Sequence, residues 1–217
     1  MSLVSTIKKI WVNLLNPTPK TGPAKAYNLW ASTYDNQPEN MVLYLDEIAV
    51  AEILENIIIP GKIIADIGCG TGRHWEKILS KKPSALIGYD VSIEMLNKLH
   101  YKYSEAETYL LQENNLKESK DGSCDIIIST LVVAHIQNLE NAFIEWSRVL
   151  KNNGEIIITD FHPLALQKGA TRSFRYKDKP VYIKNYVHSL KKIRALGKKL
   201  NWEEVCLIEK TIDESIE

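Results

Sequence analysis

The sequence predicts an α/β fold: a doubly wound, mostly parallel sheet with helices on both faces. Short apolar runs alternate with helical patterns over most of the 217 residues. Residues 126–128 and 156–158 are all isoleucine, which is typical of strands buried on both faces. Because parallel strands must be joined by a crossover, usually a helix, this alternation indicates one wound sheet.

The predicted elements follow in order along the chain. A long helix is expected at about 41–56, before a first core strand at 62–66. Helices at about 72–80, 93–100 and 139–150 then alternate with strands at 85–90, 107–112, 124–130 and 154–160. Beyond the fifth core strand, alternating residues around a Lys-Asp-Lys turn predict a small inserted hairpin, followed by a helix at about 189–200 and a final strand at 205–208.

Residues 3–15 carry apolar side chains at helical spacing, which predicts an amphipathic helix. We expect it to pack on the domain or to cover the functional site. Binding to a membrane surface is the less favoured alternative, because the helix carries only two lysines, Lys8 and Lys9.

The segment "ADIGCGTGRH" ends the first core strand and is the most informative part of the chain. Glycines at 68, 70 and 72 lack the Cβ atoms that would hold a ligand away from the main chain. Asp90 ends the next strand, where its carboxylate can accept hydrogen bonds from both hydroxyls of a ribose. Asp66 would face a cationic or amine-bearing part of the ligand. The order of strand, glycine turn, helix, strand and acid therefore predicts a nucleotide pocket.

Other nucleotide motifs fit poorly. The dinucleotide pattern G-x-G-x-x-G would require glycine in place of Arg73, and the Gly-Lys-Ser/Thr ending of a P-loop is absent. The Tyr-x-x-x-Lys pair of many nicotinamide-dependent reductases does not occur in the chain either.

Three segments, "ADIGCGTGRH", "GYDVSIEML" and "SRVLKNNGEIIITDFHP", resemble the class I S-adenosylmethionine-dependent methyltransferases. The similarity is to the large group that includes ubiquinone and menaquinone biosynthesis enzymes, and it extends over about residues 27–209. The resemblance implies a Rossmann-like methyltransferase sheet, an enzyme, S-adenosylmethionine as cofactor and S-adenosylhomocysteine as product.

The resemblance also implies roles for individual residues. Asp66 and the loop from 68 to 72 would lie beside the methionine part of the cofactor, Asp90 would hold the ribose, and Ile93 or Met95 would flank the adenine. The family usually has an acid just after the third strand that binds the adenine amino group. Gln112, Glu113 or Asn114 would take this role here, and Gln112 is the residue that aligns with that acid without a gap. The expected cofactor-binding set is Tyr34, Asp66, Gly68, Cys69, Gly70, Gly72, Asp90, Val91, Met95, Gln112, Glu113, Asn114 and Thr130.

Tyr34 belongs to an aromatic segment, "AYNLWASTYDNQPEN", that forms a lid in the resembling enzymes. Its hydroxyl is expected near the carboxylate or sulfonium of the cofactor. The alternative of equal weight is that these rings only pack the lid onto the sheet.

His135 and His162 are the candidate catalytic residues. They follow the fourth and fifth core strands, at the carboxyl edge where the methyl group should point, and a histidine near neutral pKa can act as a general base. The alternative is that each fixes a loop by hydrogen bonding. No metal-ligand spacing is present, and no Asn/Asp-Pro-Pro-aromatic tetrapeptide, the signature of amino methylation on a nucleobase, follows the fourth strand.

The methyl acceptor is expected to be a small molecule. The net charge is formally zero, which argues against broad binding to polyanions, and no DNA partner is expected. Residues 168–199 nevertheless contain eleven basic residues and one acid, and we expect a solvated basic surface there. The alternatives are that Arg172, Arg175 and Lys177 lie over a carboxylate or phosphate of a small acceptor, or that the segment contacts RNA phosphates. An RNA or protein methyltransferase that uses this basic insertion is therefore one alternative, and a cofactor-binding protein without turnover is another.

We expect a single domain over 1–217, with N-terminal helices and a lid at 1–60, a cofactor-binding core at 61–161, and an acceptor-side insertion with a helix and strand at 162–217. The three cysteines show neither metal nor disulfide spacing. No apolar run reaches the roughly 18 residues of a membrane span. A cytoplasmic protein is therefore expected.

Overall fold

The computed structural model describes residues 19–112 and 115–210. The helix predicted at 3–15 lies outside these residues, as do Glu113 and Asn114. Within them, no helix is both long enough and apolar enough to cross a membrane.

The described residues form eight strands and seven α-helices. The strands are β1 (Lys20–Thr21), β2 (Ile63–Ile67), β3 (Ala85–Asp90), β4 (Glu107–Leu110), β5 (Cys124–Thr130), β6 (Leu150–Thr159), β7 (Ser173–Tyr176) and β8 (Lys179–Ile183). The helices are α1 (Pro23–Trp30), α2 (Met41–Glu55), α3 (Trp75–Ser80), α4 (Ile93–Lys102), α5 (Leu139–Val149), α6 (Pro163–Gln167) and α7 (Leu190–Lys199), and a 3₁₀ turn covers Val133–His135.

The central sheet has the strand order β4-β3-β2-β5-β6, and all its strands are parallel. From β2 the chain winds through β3 to β4, and then crosses back to β5 on the other side of β2. The carboxyl end of β2 is thus the point where the winding direction reverses, and ligands of open α/β sheets bind at such a point. The predicted fold class is confirmed.

Both faces of the sheet are covered by helices. Ile126 and Ile128 of β5 pack in a cluster with residues of α2, α3 and α4, whereas Ile127 packs on the opposite face with α5. Successive side chains of a strand point to opposite faces, so a run of three isoleucines is buried on both sides. The continuous apolar pattern of the sequence has this physical cause.

The predicted hairpin is also present. β7 and β8 pair antiparallel, and β1 adds to β8 as a parallel third strand. Trp30 at the end of α1 stacks on Phe174 of β7 with 4.6 Å between ring centroids. The hairpin and α1 therefore form one packed unit, which we call the lid, above the carboxyl edge of the central sheet.

The final strand predicted at 205–208 is wrong. Residues 202–210 have no regular secondary structure, and Val205 is 93% exposed. Trp202 packs on Phe143 of α5, and beyond it the chain is held by side-chain ion pairs such as Lys210 with Glu52 at 2.8 Å. A short apolar run predicts a strand only if a sheet edge pairs with it, and here none of the described strands does.

Candidate active site

The glycine turn after β2 approaches the rest of the site very closely. Gly68 has φ +76°, and a Cβ atom placed on it would lie 2.1 Å from a methyl carbon of Val132. The amides of Gly68 and Cys69 donate to the carbonyl oxygen of Tyr89, at 2.6 and 3.1 Å. Only glycine fits at position 68, because the turn needs both the left-handed conformation and the space.

Asp90 at the end of β3 is buried and is held by the backbone. Its two carboxylate oxygens accept hydrogen bonds from the amides of Gly70 and Ser92, each at 2.8 Å. Burial raises the pKa of Asp90 to about 6, although these amides oppose the shift. An ionised carboxylate has about four lone-pair sites, so two remain for a ligand in the cavity that Asp90 lines.

Asp66 lies behind the glycine turn. Its carboxylate accepts a hydrogen bond from the indole nitrogen of Trp75 at 2.8 Å. Burial raises the pKa of Asp66 to about 7, with the indole bond opposing the rise and the charge of Asp90 adding to it. The carboxyl group is therefore about half protonated at neutral pH.

We expect the contribution of Asp66 to the stability of the ligand-free protein to fall as pH rises from 4 to about 7. An unfolded aspartate releases its proton near pH 4, whereas folded Asp66 keeps its proton until about pH 7. The folded state thus binds more protons over this range, and stability present at low pH is lost as pH rises through the folded pKa. Urea unfolding at pH 5 to 8 measures this contribution as the difference between the wild type and Asp66→Asn: between pH 5 and 8 the wild type should lose more stability than the variant, by an amount on the order of 1 kcal/mol or more. Equal slopes for the wild type and Asp66→Asn would contradict the prediction, and exposed Asp121→Asn is the control.

A buried charge cluster fixes the helix that supports the glycine turn. Asp46 of α2 accepts from the Arg73 guanidinium, from the Thr159 hydroxyl and, at 3.0 Å, from the imidazole of His74. Burial opposes ionisation of Asp46, but these partners outweigh it and lower its pKa to about 2. The cluster joins α2, the start of α3 and the end of β6. The sequence does not single out Asp46, because α2 also contains Glu47, Glu52 and Glu55.

The lid brings a tyrosine next to a histidine at the wall of a cavity. His135 Nδ1 lies 3.0 Å from the carbonyl oxygen of Lys184, which can only accept, so this nitrogen carries the proton. His135 Nε2 is then the acceptor of the Tyr27 hydroxyl at 3.0 Å. Burial, reinforced by the charge of Arg172, lowers the pKa of His135 to about 4. The imidazole is therefore neutral at pH 7 and a weak base.

One cavity connects these parts, with a volume of about 820 Å³ that includes space open to solvent. Eight of the expected site residues line it: Tyr34, Gly68, Gly70, Asp90, Val91, Met95, Thr130 and His135.

Other expected site residues lie outside the lining. Asp66, Cys69 and Gly72 lie in the protein interior, and Gln112 is exposed to solvent. His162 caps α6 by accepting from the amide of Leu164 and pairs with Glu209 at 2.9 Å. Both contacts of His162 therefore hold the chain in place, as in the alternative in which this histidine fixes a loop by hydrogen bonding.

Several lining residues are not in the predicted site set. Apolar side chains line the cavity where the sequence suggested a polar adenine contact, and they include Leu111 and Leu116. Trp146 of α5 and Arg172 of the lid also reach the cavity. Trp146 follows the ordinary spacing of a buried helix face, so the sequence offers no sign of it, and Arg172 is only one of three basic residues considered for an acceptor anion.

The comparisons with known proteins agree with this geometry. Residues 65–158 match the family model described as a methyltransferase domain. Together with the order of the sheet, this match supports a class I S-adenosylmethionine-dependent methyltransferase. The fold of the chain is similar to that of an S-adenosylmethionine-dependent methyltransferase from Aquifex aeolicus, with a TM-score of 0.56 and 18% identity over 83% of this chain and 88% of that one.

Curated relatives match this chain in part. A malonyl-[acyl-carrier protein] O-methyltransferase of Ilyobacter polytropus is 28% identical over 140 residues, which is 64% of this chain and 50% of that protein. An uncharacterised protein of Methanocaldococcus jannaschii is 31% identical over 140 residues, 64% of this chain and 52% of that protein. The chain thus spans about half the length of these curated relatives.

Proposed function

We propose that this methyltransferase transfers the methyl group of S-adenosylmethionine to a small-molecule acceptor bound beneath the lid. One observation carries the proposal. The glycine turn and the Asp90 carboxylate line the same cavity as Tyr27 and His135, and we assign the part of the cavity beside Tyr27 and His135 to the acceptor. A cofactor bound to the glycine turn and Asp90 would therefore share one cavity with an acceptor bound beside Tyr27 and His135.

The residues at the turn fit the cofactor. Gly68 brings the main chain to the cavity wall, and Asp90 keeps free lone pairs for the two ribose hydroxyls. Apolar Leu111 and Leu116 suit an adenine ring. S-adenosylmethionine supplies a methyl group on a sulfonium: its C–S bond breaks as the bond to the acceptor forms, and the electron pair stays on sulfur.

The protein's part in this reaction is mainly orientation and exclusion of water. His135 holds the Tyr27 hydroxyl in a fixed direction, and the lid closes the cavity above them. Because the pKa of His135 is lowered to about 4, the site favours acceptors that arrive already deprotonated, or that lose their proton to solvent. Of the two histidines we assign the acceptor side to His135, with His162 remaining outside the cavity.

Burial of the acceptor side favours a small molecule over RNA or protein. Of the three basic side chains considered for an acceptor anion, Arg172 is only 6% exposed and lines the cavity, while Arg175 and Lys177 lie outside its lining. The exposed basic residues of the hairpin, such as Arg175 and Lys177, are thus separate from the cavity.

Calorimetric titration with S-adenosylmethionine, S-adenosylhomocysteine and NADH tests the proposal. We expect both adenosyl ligands to bind and NADH not to bind. A screen of small acceptors with labelled S-adenosylmethionine then measures transfer. Failure of both adenosyl ligands to bind would overturn the proposed function, and binding without transfer to any acceptor class would favour a cofactor-binding protein without turnover.

A further inference from the structure

Arg172 is a buried cation with an unused hydrogen-bond donor. It lies just before β7, and its side chain lines the cavity although only 6% of the residue is exposed. One terminal nitrogen donates to the carbonyl oxygen of Leu131 at 2.8 Å, whereas the other, Nη2, has no hydrogen-bond partner among the described residues. A buried unsatisfied donor costs free energy, and more so when it is charged.

The backbone is arranged to hold this guanidinium. Leu131 follows β5 with φ +59°, a conformation that is rare for a bulky residue. Its amide donates to the carbonyl oxygen of Thr159 at 2.7 Å, while its own carbonyl oxygen accepts from Arg172. The guanidinium carbon of Arg172 lies over the Phe161 ring, 5.5 Å from the ring centroid. Strained backbone is often found at ligand sites, and here it aims a carbonyl group at the arginine.

Arg172 also lacks a direct counter-ion. Among residues 19–112 and 115–210, no carboxylate oxygen lies within 4.0 Å of its guanidinium nitrogens. Asp160 is the neighbouring acid, but its two oxygens accept from the amides of Ala134 and Phe161. A buried charge is normally paired, so this site is electrostatically incomplete without an anion.

The position of Arg172 separates it from the cofactor's ribose contact. Asp90 ends β3, whereas Leu131 and Phe161 follow β5 and β6, on the other side of β2. Neighbouring strands are about 4.8 Å apart, so roughly two strand spacings separate the ribose contact from the arginine. Arg172 thus lies on the side of the cavity that Tyr27 and His135 share.

We propose that Arg172 binds an oxyanion of the methyl acceptor, so that the substrates of this site are small molecules bearing a carboxylate or a phosphoryl group. The planar guanidinium forms paired hydrogen bonds with both kinds of anion. This proposal rests on the proposed function, because it assumes that the cofactor occupies the β2 and β3 side.

The test uses the full chain saturated with S-adenosylhomocysteine. Malonate and inorganic phosphate are titrated against the neutral analogue malonamide, and binding is followed by tryptophan fluorescence, since Trp30 packs on Phe174 close to Arg172. We expect at least one anion to bind and malonamide not to bind. Arg172→Met should weaken anion binding at least tenfold, while Arg175→Gln, at an exposed arginine of the same hairpin, should leave it unchanged.

Each other outcome is decisive. No anion binding to the wild type, or equal anion affinity in Arg172→Met, would overturn the proposal while leaving the proposed function intact if S-adenosylhomocysteine still binds. Arg172→Lys provides the same comparison if the methionine variant fails to fold, because it keeps the charge but loses the planar pair of donors, and an unchanged anion affinity in it would count against the proposal.

The cofactor itself carries a carboxylate, and a second comparison separates the two sources of anion. S-adenosylhomocysteine and methylthioadenosine, which lacks the amino-acid carboxylate, are titrated against the wild type and Arg172→Met. We expect the substitution to leave both affinities within about twofold. A selective loss for S-adenosylhomocysteine would mean that Arg172 binds the cofactor's carboxylate, and the acceptor assignment would be wrong.

Discussion

Asp90→Ala is expected to lower the affinity for S-adenosylhomocysteine about 100-fold. The carboxylate is buried at the cavity wall and keeps two lone-pair sites beyond those used by Gly70 and Ser92. A hydrogen bond to a charged group contributes about 1.5–3 kcal/mol, so loss of two ribose bonds removes about 3 kcal/mol or more. Each 1.4 kcal/mol is about tenfold in affinity. Calorimetric titration at pH 7.5 measures the change.

The control for this substitution is Glu94→Gln in the first turn of α4. Glu94 is an exposed acid close to Asp90 in the sequence, and it lies outside the cavity lining. We expect the affinity of the Glu94→Gln variant for S-adenosylhomocysteine to stay within about twofold of the wild-type affinity. An Asp90→Ala protein that is folded by circular dichroism and binds as tightly as the wild type would remove the ribose assignment.

The parts of the fold that local sequence determines were predicted well. The bounds predicted for β3 and β5 agree with the structure, because each is a run of apolar residues bounded by turn or polar residues. The glycine turn and Asp90 could be predicted to line one pocket, because that prediction depends only on a fixed order of elements along the chain. Their place at the reversal point of the sheet follows from that order and from the parallel topology.

The parts that depend on contacts between distant segments could not be predicted. Asp46, Arg73 and Thr159 meet only after α2 and β6 pack on the glycine turn. Likewise, the sequence shows a basic insertion, but only the folded lid separates buried Arg172 from the exposed lysines around it. Burial is a property of the tertiary structure, and a single charged residue gives no local sign of it.

Gly68→Ala is expected to destabilise the protein by about 2–5 kcal/mol and to abolish cofactor binding. The left-handed conformation at φ +76° costs alanine about 1–2 kcal/mol. The new Cβ atom would lie 2.1 Å from Val132 Cγ2, so the turn or the segment after β5 must move, which adds about 1–3 kcal/mol. Both segments line the cavity, so the movement changes the binding surface itself.

Gly122→Ala is the matched control, because it separates strain from overlap. Gly122 also has positive φ, +57°, but a Cβ atom added to it would have no described atom within 4 Å, and the residue lies outside the cavity lining. It should lose only the conformational term of about 1–2 kcal/mol and should bind S-adenosylhomocysteine normally. The difference in unfolding free energy between the two variants, from urea denaturation, then measures the cost of displacing Val132. Equal losses in stability, with binding retained in both, would show that the turn does not need the close contact at Gly68.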